Sequence, residues 1–480
     1  MKRAIGCALV GWLIVTGCGS SDDGGGGKPG GPASIGAPGV VLNEIAIYQG
    51  PKRQVMVGGA PAEGVPLIAG RDGLFRVFHS LTPDYDGQPV TAKLDLLDGQ
   101  PPLEVTLPLS PAANEADLAS TVTFQIPGSR IGPELNYELS FSQPAAGGRA
   151  DNPGSRFSQK VAVAGKQNTF RVMLVPFAYD ADGSGRLPDT SPEQVELYRK
   201  RFLSLYPASN VEVTTHEPVP WSSAISPTGS GWQAVGLKLY SLRNAEGIPP
   251  DVYLYGVFMP TQTLSQFCFP SCLLGVTLLN DKPLDVGQVS LRLALGVGYP
   301  DVALNTAAHE LGHAHGRPHA NCGPGLDPSS IDQSFPHPNG SIGDWGYDIT
   351  NGQLHDPAVA TDIMSYCKNQ FISGYNYTKL FDRGQNVNQP KVIAEPKRYW
   401  LIADDGLGGN DWREVELTGL PSGREVEVTA ETRASSSITT RGWYTPYDHL
   451  DGGWLLVPAE VGDLARVEHR ARGKLEVLER

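Results

Sequence analysis

The sequence predicts a multidomain chain: a central α/β (α+β) domain, with a mixed twisted sheet and one prominent helix, between N- and C-terminal antiparallel β-sandwich domains. Three observations predict it. A chain of 480 residues exceeds what one hydrophobic core fills. Gly (57) and Pro (40) are plentiful, and short β-branched or aromatic runs between turn residues fill both ends of the chain, as antiparallel strands do. Only from about residue 168 do strand-like runs alternate with helical periodicity.

The chain opens on Lys2 and Arg3, followed by an apolar run from Ala4 to Val15 that is too short to span a bilayer. Residues 1–17 therefore read as an export signal. Val15-Thr16-Gly17-Cys18 resembles the bacterial lipobox. That resemblance implies lipidation of Cys18, an ordinary cleaved signal being the alternative. Gly19, rather than Asp, resembles the pattern sent on to the outer membrane. Residues 18–39 are Gly-rich, lack the apolar side chains that offset ordering entropy, and read as a flexible tether. The expectation is a monomer at the bacterial cell envelope, on the outer membrane or cell surface, touching the membrane through its lipid alone. A net charge of −13 argues against nucleic acid as a partner.

Cys7 leaves with the signal. Cys268, Cys272, Cys322 and Cys367 remain in an oxidising setting, where disulfides are the default. Four cysteines allow three connectivities, and sequence does not choose among them. We expect Cys322–Cys367 and Cys268–Cys272. Zinc held by all four is the poorer alternative, because the compartment favours oxidation.

Residues 40–166 read as an immunoglobulin-type sandwich: VVLNEIAIYQ, LFRVFHSL, AKLDLLDG, STVTFQIP, LNYELSFS and SQKVAVAG are strand-like and separated by turn residues. His79 stands alone there and reads as a packed or surface histidine. Residues 167–388 carry the central domain. FRVMLVPFAY is a strand, and SPEQVELYRKRFLSLYP is a helix capped by Ser191, with Pro192 in the first turn and Gln194 at capping-box spacing. Residues 389–480 return to strands and read as the second sandwich.

Little else points to chemistry except AAHELGHAHGRPHANC, residues 307–322, which holds four of the ten histidines. On a helix, His309 and His313 are four apart and project from one face, so both can meet one metal ion. Glu310 lies beside that face. Gly316 can take φ > 0 and end the helix, and Pro318 discourages its continuation. The turn can then return His319 to the same point. Three neutral imidazoles at roughly 2.0–2.1 Å make an open zinc site with the fourth position left for water.

The spacing His309-Glu310-x-x-His313-x-x-Gly316-x-x-His319 resembles the signature of the metzincin metallopeptidases. The likeness covers about 168 to 385 and is sharp only at 309–319 and 362–366. It implies one catalytic Zn2+, Glu310 as general base toward a zinc-activated water, and a methionine turn at Met364. It implies also that Tyr366 ligates zinc or hydrogen-bonds the reacting oxyanion, as in astacins and serralysins. The edge strand Gly275, Val276 and Thr277 falls where such a fold pairs with the backbone of a polypeptide or glycoprotein substrate. His315 lies on a different helix face and is not a ligand in that clan. Asp180 and Asp182 match the start of a Ca2+ loop, but Ser191 stands at its closing position, so a plain polar turn is the preferred reading. The expected function is a surface-anchored zinc endopeptidase. An inactive, peptidase-like adhesin or binding lipoprotein is the alternative, and the intact Glu310 argues against it.

Overall fold

The computed structural model describes residues 34–145, 150–164, 168–279, 289–324, 326, 328–387, 395–418, 421 and 423–480. The stretch read as an export signal and Cys18 lie outside the described residues. Part of the stretch read as a tether is ordered: Ser34–Gly36 is a strand paired with Glu134–Pro144. Among the described residues, no helix is long and apolar enough to cross a membrane.

Two antiparallel sheets face each other at the N-terminus. One runs Ala60–Pro61, Lys52–Val57, Val40–Tyr48, Gly73–Leu81, Val122–Ile126. The other runs Ser34–Gly36, Glu134–Pro144, Val90–Asp95, Leu103–Leu107, with Arg156–Ala162 also on Glu134–Pro144. Alternation makes this packing: Ala92, Leu94, Tyr137, Leu139 and Phe141 point inward and meet Ile45, Ile47, Phe75 and Val77 in one core.

The middle of the chain forms a sheet in the order Asn210–Thr215, Thr169–Tyr179, Val252–Phe258, Leu293–Val297, Gly275–Thr277. The first four strands are parallel and the last is antiparallel. The inner strands Val252–Phe258 and Leu293–Val297 are buried along their whole length, as burial on both sides requires. One face packs on helices Pro192–Leu205, Ala303–Ala314 and Gly374–Val387. The other packs on helix Trp232–Glu246 and, beyond it, on the C-terminal strands through Tyr399, Leu401, Trp454 and Leu456.

The expected fold class is corrected here. The described chain holds twenty-seven strands and five α-helices, one of them only the four residues Leu264–Phe267. It is mostly β, and not a metzincin-like α/β domain between two sandwiches. Two features produced the misreading. The stretch after His319 carries only 3-10 turns and strands of two or three residues until Gly374. The middle sheet also does not close both of its faces alone, because one of them shares its apolar cluster with the C-terminal strands. Those strands are likewise no sandwich. They make one seven-stranded antiparallel sheet, Asn410–Thr418, Pro396–Asp404, Gly453–Pro458, Ser437–Pro446, Arg424–Thr432, Leu464–Ala471, Lys474–Glu479, which curls into a half-barrel. Its concave side closes on itself around Ile402, Val428, Leu455 and Val467, so no second sheet is needed to cover it.

Candidate metal centre

His309, Glu310 and His313 sit in the last two turns of the buried helix Ala303–Ala314. Gly316 adopts φ 82°, which ends the helix by turning the chain back. Gly316 N–H donates to His313 O (2.7 Å) and Arg317 N–H to Gly312 O (3.0 Å). The returning segment is pinned at His319, whose N–H donates to Ser330 O (3.0 Å) and whose carbonyl accepts from Asp332 N–H (2.9 Å).

These supports bring the three rings together. His313 Nε2 lies 3.0 Å from His309 Nε2 and 3.1 Å from His319 Nε2. Each Nδ1 has a partner of its own: Ile363 O for His309 (2.7 Å), Arg317 O for His313 (2.6 Å) and Ser330 Oγ for His319 (2.9 Å). A carbonyl oxygen only accepts, so Nδ1 of His309 and His313 carries the proton and Nε2 presents a lone pair. Lone pairs that close repel unless a cation sits between them. Nitrogens on tetrahedral bonds of roughly 2.0–2.1 Å lie about 3.3 Å apart, close to the spacing seen. The residues present therefore fit a metal ion of the zinc type.

Burial keeps these imidazoles neutral, as ligands must be. It pushes His309 down to about 4 and His319 down to about 2, and holds His313 well below the usual range, with neighbouring histidines adding to the shift. His315 points elsewhere: its Nδ1 donates to Leu311 O (2.6 Å), and its ring stacks on Tyr253 with centroids 4.3 Å apart.

Met364 lies beneath the helix, fully buried. A Cβ on Gly312 would meet its sulfur at 2.4 Å, so a residue with no side chain stands between His309 and His313. Asp362 builds this turn by accepting from Met364 N–H and Asn376 Nδ2 (2.8 Å each) and from Ser373 N–H (2.9 Å). Ala320 N–H donates to Met364 O (2.9 Å) and Tyr366 N–H to Cys322 O (2.8 Å), tying the turn to the segment of His319. The Cys322–Cys367 disulfide closes the same junction, and Cys268–Cys272 is the second. Tyr366 Oη stands 3.1 Å from His319 Nε2.

Glu310 is buried, with its Oε2 lacking a hydrogen-bond partner among the described residues. Burial first, and the Asp448 carboxylate second, push its carboxyl well above the usual range. A cavity of about 520 Å³ opens on Glu310 and His309, between Leu273–Gly275 on one wall and Tyr366–Gln370 on the other.

Sequence reasoning missed Asp448 and His449, which the half-barrel inserts into this centre. A ring nitrogen of His449 lies within 4.8 Å of the ligand nitrogens of all three histidines. Its Nε2 is 2.9 Å from Asp448 Oδ2 and 3.3 Å from Glu310 Oε1, and Asp448 Oδ2 is 3.4 Å from His313 Nε2. No local signal marks them, because YDHL reads as an ordinary turn between strands.

The edge strand is partly covered. Gly275–Thr277 is the outermost strand, paired with Leu293–Val297, and Gly275 borders the cavity over Glu310. Its far edge is not open to substrate throughout. Thr277 N–H donates to Asp448 Oδ1 (2.9 Å), and Thr277 O accepts from Asp448 N–H (3.1 Å). The half-barrel covers an otherwise unpaired strand edge there. Asp180 and Asp182 serve a turn: Asp180 Oδ1 accepts from Gly185 N–H (3.0 Å), and Asp182 pairs with Ser184 and Arg186.

Residues 296–389 match the family model of peptidase M66. The match supports a metallopeptidase, and the histidine cluster is compatible with it. The matched segment spans the three histidines, Glu310, Met364 and Tyr366, and stops before the half-barrel that carries Asp448 and His449. No curated protein matches the chain.

Proposed function

We propose that this chain is a zinc-dependent endopeptidase displayed on a bacterial cell envelope by a lipid at Cys18, cutting extracellular polypeptides or glycoproteins. One observation carries the reading: three buried imidazoles turn their Nε2 atoms on one point, each ring held from behind, beside a buried carboxylate. Metal ligation alone does not require Glu310.

Zinc held by His309, His313 and His319 would supply Lewis acidity for the scissile carbonyl. Glu310 takes a proton from the attacking water and passes it to the leaving amine, and its raised proton affinity suits both steps. The Tyr366 hydroxyl, kept protonated by burial and by the nearby Asp448 and Glu310 carboxylates, donates to the developing oxyanion. The cavity beside Gly275 receives the peptide.

The test is zinc content and cleavage of labelled casein, with and without chelator. Glu310→Gln should keep one zinc per chain and lose activity by about 10²–10⁴-fold. Cleavage that survives the substitution removes Glu310 from the mechanism. Zinc bound with no turnover in the wild type favours an adhesin built on a peptidase-like centre.

A further inference from the structure

The half-barrel does more than cover a sheet edge. Residues 447–449 lie outside the segment that matches the peptidase family model, yet Asp448 and His449 meet His313, Glu310 and Tyr366. Their position is strongly held. Tyr447 is buried, its hydroxyl accepts from Trp454 Nε1 (2.9 Å), and its carbonyl accepts from Arg472 Nη2 (2.9 Å). Leu279 N–H donates to Pro446 O (3.0 Å), Leu278 bridges Tyr447, and Asp448 N–H donates to Thr277 O (3.1 Å) while its Oδ1 accepts from Thr277 N–H (2.9 Å). The loop thus pairs through an isolated bridge with the outer edge of the sheet beside the active-site helix.

Asp448 is fully buried and His449 nearly so. The Nε2 of His449 sits between two carboxylate oxygens, Asp448 Oδ2 at 2.9 Å and Glu310 Oε1 at 3.3 Å. Two carboxylate oxygens at ion-pair distance make this nitrogen a charge partner of Asp448 and Glu310 rather than a metal ligand. The other ring nitrogen, Nδ1, contacts Tyr366 Oη. One imidazole therefore touches the general base with one edge and the oxyanion donor with the other.

We propose that Asp448 and His449 are a positioning pair, in which Asp448 orients His449 and His449 holds the Glu310 carboxylate and the Tyr366 hydroxyl at their working positions. The half-barrel is on this account an obligatory part of the active site. Held groups lose less freedom on reaching the transition state, and outer partners of this kind typically change activity or metal affinity by 10–100-fold. The inference rests on the reading of the centre as a zinc peptidase.

The experiment compares the full chain as wild type, His449→Ala, His449→Gln and Asp448→Asn. Zinc content and chelator competition are measured first, then labelled-casein turnover, then binding of acetohydroxamate to the zinc-loaded protein. The expected result is zinc affinity unchanged in all four proteins. In His449→Ala, kcat falls roughly 10–100-fold with little change in KM, and acetohydroxamate binds more weakly. His449→Gln recovers part of the loss, because its amide still offers an N–H toward Glu310. Three results would overturn the proposal: turnover and acetohydroxamate affinity unchanged in His449→Ala, zinc affinity lost with His449, or failure of His449→Gln to differ from His449→Ala. A wild type that binds zinc but spares casein counts against the peptidase reading, while the acetohydroxamate comparison still judges the pair. A wild type that binds no zinc removes both.

Discussion

His469 shows how a single buried side chain sets a response to pH. It lies on strand Leu464–Ala471 with its ring 5.1 Å from that of Tyr444, and neither ring nitrogen has a hydrogen-bond partner among the described residues. Burial, aided by the Arg424 charge, pushes its pKa down to about 4, against 6.5 for a free histidine. The unfolded chain therefore takes up a proton near pH 6.5 that the folded chain refuses until about pH 4. Stability is undiminished above that upper value and falls as pH drops through the window. One such group accounts for about 2 kcal/mol between pH 7 and pH 5. His469→Phe, which fits against Tyr444 and does not titrate, should flatten that part of the profile. Urea midpoints at both pH values measure it, and an unchanged slope would show that other groups dominate. The ligand residues illustrate legibility at the same scale. The spacing of His309, His313 and His319 was readable because helix geometry and one glycine turn are local. Ile363 O, Arg317 O and Ser330 Oγ, which orient the rings, were not readable, since two of the three arrive from distant segments.

Among the elements, the segment from His319 to Met364 is the least regular and the most consequential. Turns, short strands and hydrogen bonds to Asp362 hold it, and the Cys322–Cys367 bridge joins two positions 45 apart in sequence around it. Loop-closure entropy assigns such a bridge roughly 4 kcal/mol. Replacing both cysteines by alanine should cost about 2–4 kcal/mol in denaturant midpoint and weaken zinc binding, because His319 and Tyr366 lie on its two arms. Stability and zinc affinity that both survive reduction would contradict this. The pairing was guessed from sequence position beside the two halves of the motif. The conformation of the loop was not legible, since Asp, Gly and Pro-rich stretches carry turn propensities that only long-range partners select.

The whole molecule is joined by buried polar contacts as well as by apolar packing. Arg71 of the N-terminal sandwich is almost fully buried. It donates to Gln49 O (2.7 Å) within its own module and to Leu203 O (2.5 Å), Tyr206 O (3.0 Å) and Ala208 O (2.8 Å) at the end of helix Pro192–Leu205. Arg71→Met fills similar space but leaves four carbonyl groups without that donor, at about 1–3 kcal/mol for each one left unsatisfied. The expected outcome is a separate, earlier thermal transition for the sandwich, read by calorimetry. A single unshifted transition would mean that apolar contacts alone hold the modules together. At the other end, the shared apolar cluster makes the half-barrel one layer of the middle sheet's packing, a contact that no strand pattern in the sequence reports.

Sequence by itself determined what is local: the helix with two histidines and a glutamate on adjoining faces, the glycine that turns the third histidine back, and the strand character of both ends. The tertiary structure decided what depends on contacts between residues far apart in the chain. It curled seven strands into one half-barrel, placed Met364 beneath Gly312, covered Thr277, and carried Asp448 and His449 across to Glu310. The physical reason is that periodicity reports which face of an element is apolar and never which other element covers it. A turn of four ordinary residues acquires chemistry only from the neighbours to which the fold delivers it.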